Sequence, residues 1–210
     1  MAEQTARKRS AKSEDTKNSL MKAARKVFSE SSITSVRVAD ITKEAGVSHG
    51  TFYVYFKNRD DILYKIISPV LDGIYDIATF SWDRGDEADI YSNVEHVIRT
   101  FLDFYSRNAD VMKILVQGSS YNDLLDHLYS DARKRIQQRI SKNLRAASEK
   151  GLTYNLDPEI ATFSLAGMVD HFAYTWFCIT PFEKRDKFEI DEVCRILAEL
   201  WCNAIYIPQK

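Results

Sequence analysis

The sequence has few of the residues that interrupt helices. Its 210 residues include only four prolines and seven glycines, so long stretches run without a helix breaker. This scarcity excludes the turn-rich spacing of an all-β protein and predicts an all-α fold. Hydrophobic residues make up 45% of the chain, enough to bury a core, so general disorder is excluded as well.

The chain is also poor in cysteine. Cys178, Cys194 and Cys202 lie in apolar stretches without paired spacing, which excludes a disulfide framework and a zinc site. Residues 1–16 are charged and lack the apolar centre of a signal peptide. We therefore expect a cytoplasmic protein whose cysteines are reduced.

Long apolar runs and catalytic motifs are equally scarce. The longest nearly apolar run, residues 160–179, has Asp170 and His171 at its middle, which favours a buried helix over a membrane span. The sequence has no nucleophile with a base, no metal-ligand spacing and no glycine-rich phosphate loop. We therefore expect no catalysis, no cofactor, no bound metal and no membrane partner.

Charge is distributed unevenly along a chain whose net charge is −1. Residues 1–66 contain 13 Lys and Arg against 8 Asp and Glu, whereas residues 67–210 contain 16 against 22. An excess of positive charge favours contact with phosphates, although ordinary solvated helix faces can give the same balance. The N-terminal third is therefore the part expected to meet nucleic acid.

Apolar spacing predicts three short helices in the N-terminal third. A flexible basic arm, residues 1–13, is expected before the first helix, whose apolar face includes Leu20, Ala24 and Phe28. The DNA-binding domain is then expected to cover residues 14–60.

Capping residues delimit the second and third of these helices. Ser35 is expected to cap the second helix, and Gly46 to end it in a left-handed conformation. Ser48 is expected to cap a third helix over residues 49–55. Three helices with a glycine-containing turn between the second and third are typical of a helix-turn-helix.

The apolar spacing of residues 61–210 predicts a larger helical domain. The whole chain is then expected to form nine or ten helices. A bend is expected at Pro69, a loop over the polar segment 81–87, and a helix start at Asp157 with Pro158. The expected helices run from about residue 59 and over residues 90–107, 111–116, 122–150, 157–179 and 191–205.

The helix-turn-helix residues resemble the TetR family of bacterial regulators. The matching elements are Ala24, Phe28, Val38, Ile41, Ala45-Gly46-Val47-Ser48, Gly50-Thr51-Phe52-Tyr53, Phe56 and Asn58-Arg59. Four positions depart from the family pattern: Ser32 replaces a common glycine, Val36 replaces a common threonine, and Val54-Tyr55 replaces an aromatic–His pair. Beyond this stretch the chain resembles the family only in helix number and length.

The resemblance implies that the third helix enters the major groove of double-stranded DNA. The expected DNA-binding residues are Arg37, Lys43, Ser48, His49, Gly50, Thr51, Tyr53, Tyr55, Lys57 and Arg59. Gly50 would permit close backbone approach, and the basic side chains would contact phosphates. Three alternatives stay open: Tyr55 can belong partly to the core, Thr51 can merely stabilise the helix, and His49 can contact a phosphate instead of a base.

The resemblance also implies a ligand cavity and a homodimer formed through the last two long helices. The expected cavity residues are Phe101, Phe104, Tyr105, Gln117, Tyr121, Asp170, His171, Tyr174 and Phe177. The expected dimer residues are Phe163, Gly167, Leu200, Trp201 and Ala204. Each of these aromatics can instead be ordinary core packing, and Asp170 and His171 can instead pair across the dimer.

These expectations combine into a transcriptional regulator. We expect a repressor that binds a palindromic operator as a homodimer and is released by a small apolar or aromatic effector. The alternative is a nucleoid-associated or division factor of the same fold, which would bind many dispersed DNA sites without a small-molecule inducer.

Overall fold

The computed structural model describes residues 2–80, 90–181 and 187–207. Nine α-helices occupy this part of the chain: α1 (Ala2–Glu30), α2 (Val38–Ala45), α3 (His49–Tyr55), α4 (Arg59–Phe80), α5 (Ile90–Arg107), α6 (Ala109–Gly118), α7 (Asp123–Glu149), α8 (Pro158–Tyr174) and α9 (Ile190–Ile205). A π-helical turn, Thr175–Ile179, extends α8. The predicted all-α fold with an N-terminal helix-turn-helix is confirmed, and the loop predicted over 81–87 lies outside the described residues.

Several helix ends lie where local chemistry predicts them. Gly46 follows α2 with φ +67° and ψ +29°, the left-handed conformation. The Ser48 hydroxyl accepts a hydrogen bond from the Thr51 N–H at the start of α3. The Asp157 carboxylate accepts bonds from two backbone N–H groups of α8, whose first residue is Pro158. These interactions satisfy backbone groups that a helix end leaves unpaired.

Helix α4 continues through Pro69, where the sequence predicted a bend or break. Proline removes one backbone donor and disfavours a helix interior. Its neighbours Ile67 and Val70 are both buried in the core. Burial of apolar side chains on either side of the proline outweighs the lost hydrogen bond, so one helix spans both halves of the molecule.

The beginnings of α1 and α2 also differ from expectation. Helix α2 begins after Arg37, whose backbone N–H donates to the Asp40 carboxylate at 2.8 Å. Ser35, the predicted cap, instead donates its hydroxyl to the Ser32 carbonyl. Helix α1 begins at Ala2, so residues 2–13 form its first turns rather than a separate irregular arm. No proline or glycine interrupts these residues, and a packed helix propagates easily into such a sequence.

One continuous apolar core extends through both halves of the described chain. In the N-terminal half, the fully buried side chains include Leu20, Ile41, Phe52 and Phe56. Helices α5 and α9 pack together in the C-terminal half, as do α7 with α8 and α4 with α7. None of the described helices combines the length and apolarity needed to cross a membrane.

Replacing Gly46 with Ala is expected to lower the free energy of unfolding by about 1 kcal/mol, because a Cβ is strained in the left-handed conformation. No atom lies within 4 Å of the position that this Cβ would take, so the change isolates the backbone effect. Urea unfolding followed by circular dichroism measures it. Gly46→Asn is the matched control and should lose less, since Asn tolerates this conformation; equal losses would contradict the explanation.

Candidate nucleic-acid interface and interior cavity

Helix α3 buries one face and exposes the other. Phe52 and Phe56 are fully buried, with ring centroids 5.5 Å apart, and anchor the helix to the N-terminal core. Residues four apart share a helix face, so the exposed residues form one surface, here called the outer face of α3. The outer face of α3 consists of His49, Gly50, Tyr53 and Val54. A single exposed helix face of this width can enter a major groove.

Val54 was absent from the predicted DNA-binding residues, yet it is 74% exposed on the outer face of α3. The sequence holds a signal for it, because Val54 lies four residues after Gly50 and midway between the two buried phenylalanines. A valine in this position can contact the methyl group of thymine. His49 and Tyr53 pack edge to face at 5.4 Å on the same surface.

Two predicted contact residues also stabilise the local fold. The Thr51 hydroxyl lies 2.8 Å from the Ser48 hydroxyl, which strengthens the cap of α3. Tyr55 is half-buried, and its hydroxyl lies 3.2 Å from the Ser13 hydroxyl of α1. The structure therefore gives Thr51 and Tyr55 the supporting roles that the sequence left open.

Arg59 is engaged by the fold although its side chain stays partly exposed, so we expect it to support the fold more than to contact a phosphate. Its guanidinium donates to the carbonyl oxygens of Ile33 at 3.1 Å and Val36 at 3.4 Å, and it pairs with Asp60 at 3.2 Å. These bonds hold the turn between α1 and α2 against the start of α4. The exposed cations of this region are instead Arg37, Lys43 and Lys57.

A partly open cavity of about 320 Å³ lies among helices α4 to α9. Aliphatic side chains form most of its wall, including Leu71, Ile74, Val94, Ile98, Met112, Ile136 and Ile140. A largely apolar cavity with a few polar groups is the usual form of a site for a small organic molecule.

The cavity is aliphatic rather than aromatic, which corrects the predicted lining. Only Phe101 and Asp170 of the predicted residues line it. The others lie outside the wall: Tyr105 is fully buried, Phe104, Tyr174 and Phe177 are half-buried, and Gln117, Tyr121 and His171 are exposed. The rotation of α4, α5 and α7 turns their aliphatic faces inward, and spacing within one helix does not specify that rotation.

A polar group formed by Tyr129, Arg133 and Asp170 interrupts the apolar wall. Arg133 donates to the Tyr129 hydroxyl at 3.0 Å and lies 5.3 Å from the centre of that ring. Burial raises the pKa of Asp170, while the charge of nearby Arg133 lowers it in part. The sequence indicated Asp170 only. The signal for the other two is their spacing of four residues along α7, in line with Ile136 and Ile140.

Helices α8 and α9 expose apolar side chains on the surface. Phe163 is 62% exposed and Leu200 is 51% exposed, and Ala204 is exposed as well. Ile160 and Ile196 add to the same surface, here called the α8–α9 face. An exposed apolar patch of this kind marks an interaction surface.

Two of the predicted dimer residues, Trp201 and Gly167, are not exposed as the others are. Trp201 is only 7% exposed and lines the cavity within its own chain, which corrects its predicted place at the dimer interface. Gly167 is half-buried and also lines the cavity. Successive residues of a helix point about 100° apart around its axis, so Leu200 can be exposed while Trp201 is buried.

Helix α6 joins the cavity to the N-terminal helices. Met112 of α6 lines the cavity. Two residues earlier, the Asp110 carboxylate accepts hydrogen bonds from Arg25 of α1 at 2.6 and 2.8 Å. At the other end of α6, Gly118 packs so closely on Ile33 and Leu125 that any Cβ would collide with both. Displacement of α6 would therefore also move α1 and the turn that follows α1.

Comparisons with known proteins agree with this arrangement. Residues 20–66 match the model of a family described as bacterial regulatory proteins, tetR family. The HTH-type transcriptional regulator HbdR from Aromatoleum sp. (strain CIB) is 27% identical over 172 residues, covering 77% of this chain and 72% of that protein.

Two solved structures share the fold. The TetR family transcriptional regulator PfmR from Thermus thermophilus superimposes with a TM-score of 0.70 at 19% identity, covering 88% of this chain and 97% of that chain. The regulator FadR from Bacillus subtilis, solved in complex with stearoyl-CoA, gives 0.67 at 21% identity, covering 90% and 98%.

Lys57→Met is expected to weaken DNA binding and to lower the slope of log affinity against log salt by about one unit, because one phosphate contact is lost. Fluorescence anisotropy with a DNA fragment selected from a random library measures both. Between about 50 and about 200 mM salt, the unmodified protein should lose about two orders of magnitude in affinity.

Arg59→Met is the matched control for this measurement. It should lower the free energy of unfolding by about 1–2 kcal/mol, because two carbonyl groups lose a charged donor, and leave the salt slope unchanged. A reduced slope for Arg59→Met together with an unchanged slope for Lys57→Met would reverse the two assignments.

Proposed function

Because this chain belongs to the TetR family of bacterial transcriptional regulators, we propose that it is a repressor whose homodimer binds a palindromic operator and is released by a small apolar effector. The family consists of DNA-binding proteins rather than enzymes. One observation carries the finer proposal: the chain combines an exposed recognition surface with a largely apolar, partly open cavity, and two helices connect them. Residues 14–60 would form the DNA-binding domain, and residues 61–210 the effector-binding and dimerisation domain.

The outer face of α3 would read the operator in the major groove. His49, Tyr53 and Val54 present two aromatic side chains and one aliphatic side chain toward base edges, while Gly50 allows close approach of the backbone. Lys43, Lys57 and Arg37 would contact phosphates on either side of this helix. In a two-fold symmetric dimer, the two copies of α3 would enter successive major grooves, about 34–36 Å apart.

The α8–α9 face would form the dimer. Phe163, Leu200 and Ile160 are large apolar side chains that are exposed within one chain. A two-fold axis brings the same surface of both chains together, so each of these apolar side chains would be buried in both copies.

The cavity would hold the effector. Its aliphatic wall favours a flexible or extended hydrocarbon over a sugar or a phosphate. The structural neighbour FadR from Bacillus subtilis was solved with stearoyl-CoA, which supports an acyl compound as the effector class.

Effector binding would release DNA by moving α4 and α6. Leu71 and Ile74 of α4 and Met112 of α6 line the cavity, while the beginnings of both helices contact the N-terminal helices. The effector must bind more tightly to the dimer conformation whose α3 helices are wrongly spaced for DNA than to the conformation that fits DNA. Effector and operator would then weaken each other's binding by the same factor.

The competing function is a nucleoid-associated or division factor that binds dispersed sites without an inducer. A genome-wide map of binding sites distinguishes the two. A ligand-responsive repressor should occupy one or a few palindromes, whereas the competing factor should occupy many scattered sites.

Leu200→Arg and Ala204→Arg are each expected to convert the dimer to a monomer, because a buried charge without a partner is costly at an apolar interface. Multi-angle light scattering measures the mass. Tyr121→Arg is the control, since Tyr121 is 79% exposed on a different surface and its replacement should leave the dimer intact. Dimers of full mass for both α9 variants would place the interface elsewhere.

Asp110→Asn is expected to reduce the factor by which stearoyl-CoA weakens operator binding, by about threefold or more, because the ion pair between α6 and α1 is lost. Operator titrations with and without the ligand measure this factor. Asp103→Asn removes an ion pair within α5 and is the control, with no expected change. An unchanged factor in Asp110→Asn would exclude this ion pair from the relay.

A further inference from the structure

The cavity contains a second set of polar side chains, apart from Tyr129, Arg133 and Asp170. Asn143 of α7 and Trp201 of α9 line the cavity, as does Tyr206, which directly follows α9. The Asn143 Nδ2, Trp201 Nε1 and Tyr206 hydroxyl atoms are all buried, and none has a hydrogen-bond partner among the described residues. We call these three side chains the donor group.

The fold brings the donor group together at one end of the cavity. The segment after α7 pairs with the end of α9 through an antiparallel bridge between Thr153 and Tyr206. Tyr154 N–H donates to the Ile205 carbonyl at 2.9 Å, and Ile207 N–H donates to the Leu152 carbonyl at 3.0 Å. Because the ends of α7 and α9 are tied in this way, side chains near both ends face the same part of the cavity.

The two polar groups are well separated. Asn143 lies ten residues after Arg133 on the same helix, which corresponds to about 15 Å along the α7 axis. Between them the wall is mostly apolar and includes Ile136 and Ile140, although Gln137 of α7 and Asn93 of α5 also line the cavity. The cavity thus has two separate polar groups joined by a mostly apolar wall.

The two ends differ in how their polar atoms are satisfied. Arg133 already donates to the Tyr129 hydroxyl, and its charge faces Asp170. The donor group has no such partners within the described chain, and Trp201 and Tyr206 are each more than nine-tenths buried. Buried donors are normally hydrogen-bonded, so unpartnered donors that line a cavity indicate that a bound molecule supplies the acceptor.

We propose that the donor group binds the oxygen atoms of a carboxylate or acyl carbonyl, and that the hydrocarbon chain of the same molecule extends along the aliphatic wall. The proposal rests on the proposed effector function of the cavity and names the headgroup chemistry that this site selects.

Three features favour an oxygen acceptor over a cationic headgroup. The indole N–H of Trp201 can only donate. Burial raises the pKa of Tyr206, so its hydroxyl stays protonated and available as a donor at neutral pH. Lys150 lines the same end of the cavity and adds positive charge there. A quaternary ammonium group would meet donors and a like charge, and is therefore disfavoured.

The experiment compares decanoate, methyl decanoate and decyltrimethylammonium, which share a similar hydrocarbon chain and differ in headgroup. Isothermal titration calorimetry on the full-length dimer should rank decanoate above methyl decanoate. The ammonium compound should bind at least about tenfold more weakly than decanoate, because it can accept no hydrogen bond.

Tyr206→Phe tests the donor group directly. The variant should lose about five- to tenfold in decanoate affinity, as expected for one hydrogen bond, and change little toward the ammonium compound. Its thermal midpoint should not fall, because the deleted hydroxyl has no partner among the described residues. A merely structural role for this hydroxyl would lower the midpoint. Tyr91→Phe is the control: its hydroxyl donates to the Arg195 carbonyl away from the cavity, so decanoate affinity should be unchanged.

The outcomes separate this inference from the proposed function. Equal affinity for decanoate and the ammonium compound, or unchanged decanoate affinity in Tyr206→Phe, would overturn the headgroup assignment while leaving an apolar effector site in place. Binding of none of the three compounds would overturn the inference. Operator titration with stearoyl-CoA would still report separately whether the dimer responds to an effector.

Discussion

The continuity of helix α4 is the constraint on which the rest of the structure depends. Its 22 residues span about 33 Å and belong to two environments. Ile62, Leu63 and Ile66 are buried near the helix-turn-helix, and Leu71 and Ile74 form part of the cavity wall. A break at Pro69 would have separated these environments into independently moving parts. Because apolar packing holds the helix together through the proline, a shift at the cavity would move the helix as a rigid element.

Helix α6 supplies a second connection of a different physical kind. The bond between Arg25 and Asp110 is electrostatic and directional, whereas the packing of Gly118 on Ile33 is steric. Arg59 completes the connection by tying the turn after α1 to the start of α4. The N-terminal helices are thus held by polar contacts to α4 and α6, two of the helices that line the cavity. Such contacts can convert a small displacement into a changed orientation of α3.

The cavity combines a mostly aliphatic wall with two separate polar groups, and this combination has consequences for selectivity. An aliphatic wall discriminates weakly between hydrocarbons of similar size. Discrimination against the wrong headgroup is stronger, because a mismatched group leaves buried donors such as those of Trp201 and Tyr206 unpaired. The cavity would therefore discriminate weakly between effectors of different length and bulk, and more strongly between different headgroups.

Local chemistry is sufficient to predict much of the fold. Gly46 adopts its left-handed conformation, Ser48 caps α3, and Asp157 begins α8, each because of atoms within three residues along the chain. The helix-turn-helix motif and the exposure of His49 and Tyr53 follow from apolar periodicity in the same way.

The helical fold, most helix ends and the outer face of α3 can therefore be predicted from the amino-acid order alone, since short-range interactions specify them. The tertiary structure decided that Trp201 faces the cavity, that Tyr121 faces solvent and that Arg59 is held by two carbonyl groups. Each of these depends on how one helix is rotated and placed against another. That placement is a balance of contacts between residues far apart in the chain, which the spacing within a single helix does not encode.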